Sequence, residues 1–413
     1  MSNWRQSYSN LQAYTAGHPE IEITLNGTCI PQEVREEFFR LFNEVSADYI
    51  REVFPAELKE ATPLGAAFLE AEKRAISCLK LKSVIIDQNL RWFLQDPLDG
   101  LTRRLFDPVY DLVRGATDTN SFEQKSYKFV RDLMQRYTRQ GYIYWAALSL
   151  MPLLAPDQAY VVPITDESIE THLASNDVGQ ARFTDTASAQ GRFTQIIPNL
   201  IPAEWLALDS SHFTPLLVPK IIYHSTTLDT YVALRTDFHE VTHDAFELFQ
   251  NIRTMEWHKT TDLKRKFGPH NLWPDISLYL NGNPDELRVA SDASHVLRPD
   301  VIVDVMENPG WYKNDGLNIV KRHCEVLRPR LGCFVVCRET PPEAAPTQGE
   351  TTETAAAAAG VAQPPGEKLQ DADIMSQLPD NIHLLNVGLD AARLEPVIAA
   401  LALAGYGRTK STG

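Results

Sequence analysis

The chain is poor in cysteine. Five in 413 residues (Cys29, Cys78, Cys324, Cys333 and Cys337) are odd in number and too scattered for a disulfide framework. A reducing compartment, the cytoplasm, is the expectation. No apolar stretch approaches the roughly 18 residues that span a bilayer, so no transmembrane segment is expected. The nearest, residues 142–155 with a proline inside, reads as a buried core helix. The opening MSNWRQSYSNLQAY lacks the basic-then-apolar order of a secretion signal. Neither GxGxxG nor GxxxxGK[ST] occurs, which leaves a dinucleotide fold or a P-loop ATPase without support, and no GxSxG elbow marks a serine hydrolase. Positive charge is also short, with 39 Lys and Arg against 54 Asp and Glu, a net charge of -15. No whole-protein field attracts phosphate backbones, so any nucleic-acid contact requires a local basic groove.

What is present suits a folded chain of two to three domains, with 44% hydrophobic and 23% charged residues. Val34, Phe38, Leu41, Phe42, Val45 and Tyr49 recur at helical spacing and predict a helix ended near Pro55. Further helices are expected over 64–81 and from Ser121, whose hydroxyl serves as a start signal. A hairpin around Ile21 to Leu25 would be turned by Asn26 and Gly27. Residues 1–156 thus read as a mostly helical domain.

After Pro156 short β-rich runs begin: 160–164, 216–223, 230–234, 276–280, 301–306 and 331–336, with helices expected over 238–252 and 317–327. Residues 157–339 therefore read as an α/β domain. Residues 340–370, rich in Pro, Gly, Thr, Glu and Ala, supply few large apolar side chains and read as a disordered low-complexity linker. Residues 371–413 hold one strand and one helix, too little for a separate core, and are expected to pack on the second domain.

Two phrases in the second domain carry chemistry: WPDISLY, with Asp275, and RPDVIVDVMENPG, with Asp300 and Asp304. In each, Pro-Asp stands immediately before β-forming residues, and proline is tolerated at a strand's first position. Period two puts Asp304 on the side of Ile302 and Met306, where a carboxylate needs a hydrogen bond, a counter-charge or a metal. Carboxylates are hard ligands for Mg2+ or Mn2+, which would polarise a phosphodiester and activate water. Lys321 or Lys313 could stabilise the growing charge.

The order PDISLY, PDVIVDVMENPG and then Lys321 in IVKRHCEVLRPRLGCFVV resembles the Uma2-type members of the PD-(D/E)xK nuclease superfamily. That resemblance covers residues 239–336. It implies a restriction-endonuclease-like mixed sheet and a nuclease acting on nucleic acid, with Asp275 and Asp304 as ligands of Mg2+ or Mn2+. By the same resemblance Asp300 is a supporting acid and Lys321 the basic partner. The family's acidic-x-Lys spacing would place lysine where Met306 stands, so Lys321 would act from a helix.

A competing motif is HEVTH, His239, Glu240 and His243. On a helix its two histidines share a face and could bind Zn2+, with Glu240 as general base of a metallopeptidase. The third ligand would come from Glu256, His258, His270 or Asp275. His323 with Cys324, Cys333 and Cys337 has zinc-ligand chemistry but poor spacing, and core packing is the plainer reading. Basic runs at His258, Lys259, Lys264, Arg265 and Lys266, and at Lys321, Arg322, Arg328 and Arg330, are candidate phosphate contacts or solvated faces. Tyr137, Tyr142, Tyr144 and Trp145 could stack a base or a cofactor ring, and read more simply as core. A non-catalytic structural or interaction protein, whose helical domain docks a protein partner, is the alternative reading.

Overall fold

Apolar residues repeating every three to four positions make the first part of the chain helical. The computed structural model describes residues 3–24, 27–79, 83–161, 207–209, 221–236, 248–250, 257–259, 274–283, 287, 299–307, 311, 316–338 and 378–408. They fall into two compact units, Met1–Pro152 with Leu200–Thr214, and Leu153–Asn199 with Pro215–Gly413.

In the first unit α1 (Trp4–Gly17) is followed by the hairpin β1 (Glu22–Thr24) and β2 (Gly27–Cys29). Thr24 pairs with Gly27, so Gly27 opens β2 and does not fill the turn expected of it. Next come α2 (Gln32–Val53) and α3 (Pro55–Leu79). Pro55 begins the second of these, nine residues before the expected start, because the first helical position does not need the N–H that proline lacks. After β3 (Ser83–Ile85) come α4 (Gln88–Gln95), α5 (Pro97–Arg104), α6 (Phe106–Val113) and α7 (Thr119–Leu153). The cap of α7 is Asp118, not Ser121: its carboxylate accepts the amides of Asn120 and Ser121 at 2.9 Å each. The Ser121 hydroxyl also donates to Asp118.

Trp4 fixes α1 to this unit. Its amide donates to Glu52 at 3.1 Å and its indole to Glu123 at 3.3 Å. Its ring lies 5.8 Å from Tyr49 and 5.2 Å from Phe122. Tyr137, Tyr142, Tyr144 and Trp145 are all buried along α7 and belong to the core.

The second unit carries β4 (Pro156–Val161), β6 (Ile221–Ser225) and β7 (Thr230–Thr236), while β5 (Ala207–Asp209) pairs with β3 in the first unit. β8 (Leu248–Gln250) and β9 (Trp257–Lys259) form a separate antiparallel pair. The helix expected over 238–252 is therefore not helical at its described end. Phe249 pairs across to His258 and Leu248 to Lys259, so the backbone there is in a ladder, and phenylalanine and leucine fit a strand's period as well as a helix's.

Then come β10 (Ile276–Asn281), β11 (Val301–Met306), α8 (Gly316–Leu327), β12 (Gly332–Cys337), β13 (Ile382–Asn386), a 3-10 turn (Ala391–Leu394) and α9 (Glu395–Arg408). The seven-stranded sheet runs β13-β12-β11-β10-β7-β6-β4. Its β11-β12 and β12-β13 pairs are parallel and the others antiparallel, so the sheet is mixed. The chain is thus a helical N-terminal part followed by a mixed-sheet part with helices. β10, β11 and β12 are buried along nearly their whole length, which explains their uninterrupted apolar sequences. Val320 and Cys324 of α8 pack on Ile302, Met306, Cys333 and Val335 of the sheet.

Candidate functional site

The antiparallel β10-β11 ladder pairs Ile276 with Val303, Ser277 with Ile302 and Leu278 with Val301. The two Pro-Asp phrases stand at its opposite ends. Asp275, 6% exposed, accepts the Val305 amide on β11 at 2.8 Å through Oδ2. Asp300, 1% exposed, accepts the Leu280 amide on β10 at 2.6 Å through Oδ2. Each aspartate preceding one strand thus holds a backbone amide of the other, just beyond the three ladder pairs. Asp300 is tied further: its amide donates to Leu278, its carbonyl accepts Leu331, and its carboxylate receives Arg330 at 2.8 Å.

Asp304, 2% exposed, faces α8. His323, 3% exposed, lies with Nδ1 at 3.0 and 3.1 Å from the two carboxylate oxygens. A carboxylate that is ionised only accepts, and Nδ1 is the donor of that contact in the tautomer that carries its proton there. The Cys333 thiol donates to Asp304 Oδ2 at 3.7 Å. Burial pushes the Cys333 thiol well up, and its hydrogen bond with Cys324 and the charge of Asp304 act in the same direction. The thiol is therefore held protonated, as a donor to Asp304. A Cys-His-acid nucleophilic site would need the imidazole between sulfur and carboxylate, whereas here the carboxylate stands between them.

Asp275 stands one residue before and Asp304 one residue after the last ladder pair, Ile276 with Val303. Lys321 follows Val320 on the flank of α8, half-buried, and its ammonium has no partner among the described residues. Of the basic run that contains it, Arg330 is committed to Asp300. Among the described residues, no group of three or more His, Cys, Asp and Glu is placed to hold a metal ion. His239, Glu240 and His243 lie outside the described residues, as do Lys313, Glu256, His270, Lys264, Arg265 and Lys266. No described helix is long and apolar enough to cross a membrane.

Two features escape a sequence reading. The amides accepted by Asp275 and Asp300 belong to strands whose pairing is a tertiary fact. The Asp304–His323 contact has one sequence signal, a histidine on the apolar face of the helix linking two strands, the first of which carries a central aspartate. No family model, no curated protein and no solved structure matches the chain.

Proposed function

We propose that this chain is a non-catalytic interaction protein whose mixed-sheet part is a scaffold. The observation that carries the reading is the reciprocal use of Asp275 and Asp300 as acceptors for Val305 and Leu280 at the two ends of one strand pair. A carboxylate that accepts a buried amide stabilises the sheet, and charge makes that bond stronger than a neutral one. Asp304 supports the reading too, since its oxygens face the donors His323 and Cys333.

The second reading is a Mg2+- or Mn2+-dependent nuclease using Asp275, Asp304 and Lys321, with Asp300 in support. It draws support from Asp275 and Asp304 both adjoining the Ile276–Val303 ladder pair. One pair of variants separates the two. Asp275→Asn keeps an oxygen for the Val305 amide, whereas Asp275→Ala leaves that buried amide unpaired, at a cost of about 1–3 kcal/mol. A scaffold predicts near-wild-type denaturant stability for the asparagine variant, clear destabilisation for alanine, and no cleavage of DNA or RNA with Mg2+ or Mn2+ by the parent chain. Cleavage by the parent that disappears in Asp275→Asn and in Asp304→Asn, with folding intact, would replace the scaffold with the nuclease.

A further inference from the structure

Aromatic side chains gather where α2 packs on α6. Phe106, at the start of α6, lies 5.0 Å from Phe42, 6.3 Å from Phe39 and 6.0 Å from Tyr110, ring centre to ring centre. The rings of Phe39 and Tyr110 are stacked with it, at 25° and 8°. Phe42 is fully buried, so the cluster is anchored in the core, yet Phe106 is 41% exposed. Held by three other rings, Phe106 has little rotamer freedom to lose on binding, which favours it as an anchor.

Among the described residues Phe106 and Tyr127 are the exposed aromatic rings of this unit, and they differ in one respect. Tyr127, 45% exposed, carries the guanidinium of Arg131 at 5.7 Å from its ring centre. The half-buried rings of Trp92 and Tyr110 are covered in the same way, by Arg103 at 4.7 Å and Arg114 at 5.7 Å. No guanidinium of the described residues lies over Phe106. Arg40, next to Phe39 on α2, is held by Glu37 and Glu44, and Arg114 is held by Asp111. Asp107, the residue after Phe106, is exposed and makes no ion pair among the described residues. An aromatic ring attracts a cation through its quadrupole, and a carboxylate beside it adds a charged hydrogen-bond acceptor.

We infer that Phe106 and Asp107 form the docking site for an arginine of a basic partner polypeptide, whose guanidinium stacks on the ring and pairs with the carboxylate. Arginine fits better than lysine, because its planar guanidinium both stacks and offers a carboxylate two N–H groups, whereas an ammonium is a strongly hydrated point charge. The net charge of -15 favours the approach of a basic polypeptide and opposes that of a nucleic acid. The inference rests on the reading of the chain as an interaction protein and names the chemistry of its partner. It concerns the helical unit alone, so its outcome is separate from the cleavage and stability results for the Asp275 variants.

Isothermal titration calorimetry of the full chain at low salt tests it, with a synthetic helical peptide carrying arginine and leucine one turn apart as the probe. Matched peptides replace each arginine by lysine or by neutral citrulline. The arginine peptide should bind the parent with a dissociation constant below about 1 mM, the lysine peptide more weakly, and the citrulline peptide not at all. Phe106→Leu, which keeps an apolar group, and Asp107→Asn should each weaken binding about tenfold, while Tyr127→Leu leaves it unchanged. Circular dichroism checks folding, and Asp107→Asn decides the matter by itself if the ring variant does not fold. No binding of the arginine peptide at about 1 mM overturns the proposal. So does binding that the folded variants leave intact, or that lysine supports as well as arginine.

Discussion

Cys333 shows how one buried group ties stability to pH. In the folded chain its thiol is held protonated by burial, by Cys324 and by the charge of Asp304. In the unfolded chain it ionises near the ordinary thiol value of about 8.5. Above that pH the unfolded state binds fewer protons than the folded one, so this contribution is fully present below the unfolded value and is lost as pH rises beyond it. The loss approaches about 1.4 kcal/mol per pH unit, the value for one proton. Denaturant melts of the parent and Cys333→Ala from pH 7 to 10 should therefore show a stability difference that is flat to about pH 8.5 and then shifts steadily toward the variant. A difference independent of pH throughout would mean that the thiol ionises freely in the fold.

At the scale of elements, close packing of short helices sets narrow tolerances. A Cβ on Gly100 in α5 would stand 2.5 Å from the Phe93 amide nitrogen and 2.6 Å from its Cα, both fixed backbone of α4. A Cβ on Gly141 in α7 would meet the Leu94 Cδ2 at 2.7 Å, the mobile end of a side chain. Alanine gains about 1 kcal/mol of helix propensity at either place. Overpacking outweighs that gain where the obstacle cannot move. Gly100→Ala is expected to cost about 1–3 kcal/mol net and Gly141→Ala less than about 1 kcal/mol, read by urea denaturation. Equal effects would refute the distinction between backbone and side-chain obstacles.

The same scale separates what was legible in the sequence from what was not. β10, β11, β12 and α8 were readable because burial on both strand faces, or along one helix stripe, leaves unbroken or periodic apolar runs. α4, α5 and α6 are eight residues each, too short for periodicity to declare them. Their signals are the capping aspartates Asp87 and Asp96, with Pro97 opening α5. The Pro-Asp phrases were readable as strand entrances, and the burial of Asp304 followed from its place among apolar neighbours. Where the three carboxylates point was not readable: Val305, Leu280 and His323 lie 30, 20 and 19 residues from their acceptors, and strand register alone brings them near.

For the whole molecule, the division into two compact units makes a calorimetric claim. The first unit has its own core of Trp4, Phe38, Phe42, Tyr49 and Phe122, and the second is built on Ile302, Val320, Cys333 and Val335. Units with separate cores need not melt in one step. Gly100→Ala strains the first alone. Asp300→Ala strips the Leu280 amide and Arg330 of their acceptor in the second, and a buried amide left without a partner costs about 1–3 kcal/mol. Differential scanning calorimetry should resolve two transitions, one lowered by Gly100→Ala and the other by Asp300→Ala, with the double variant lowering each by the amount that its own single variant does. If a single transition moved in both variants, the cores would unfold as one cooperative body, and the stability of the aspartate-clamped sheet would depend on the helical unit as well.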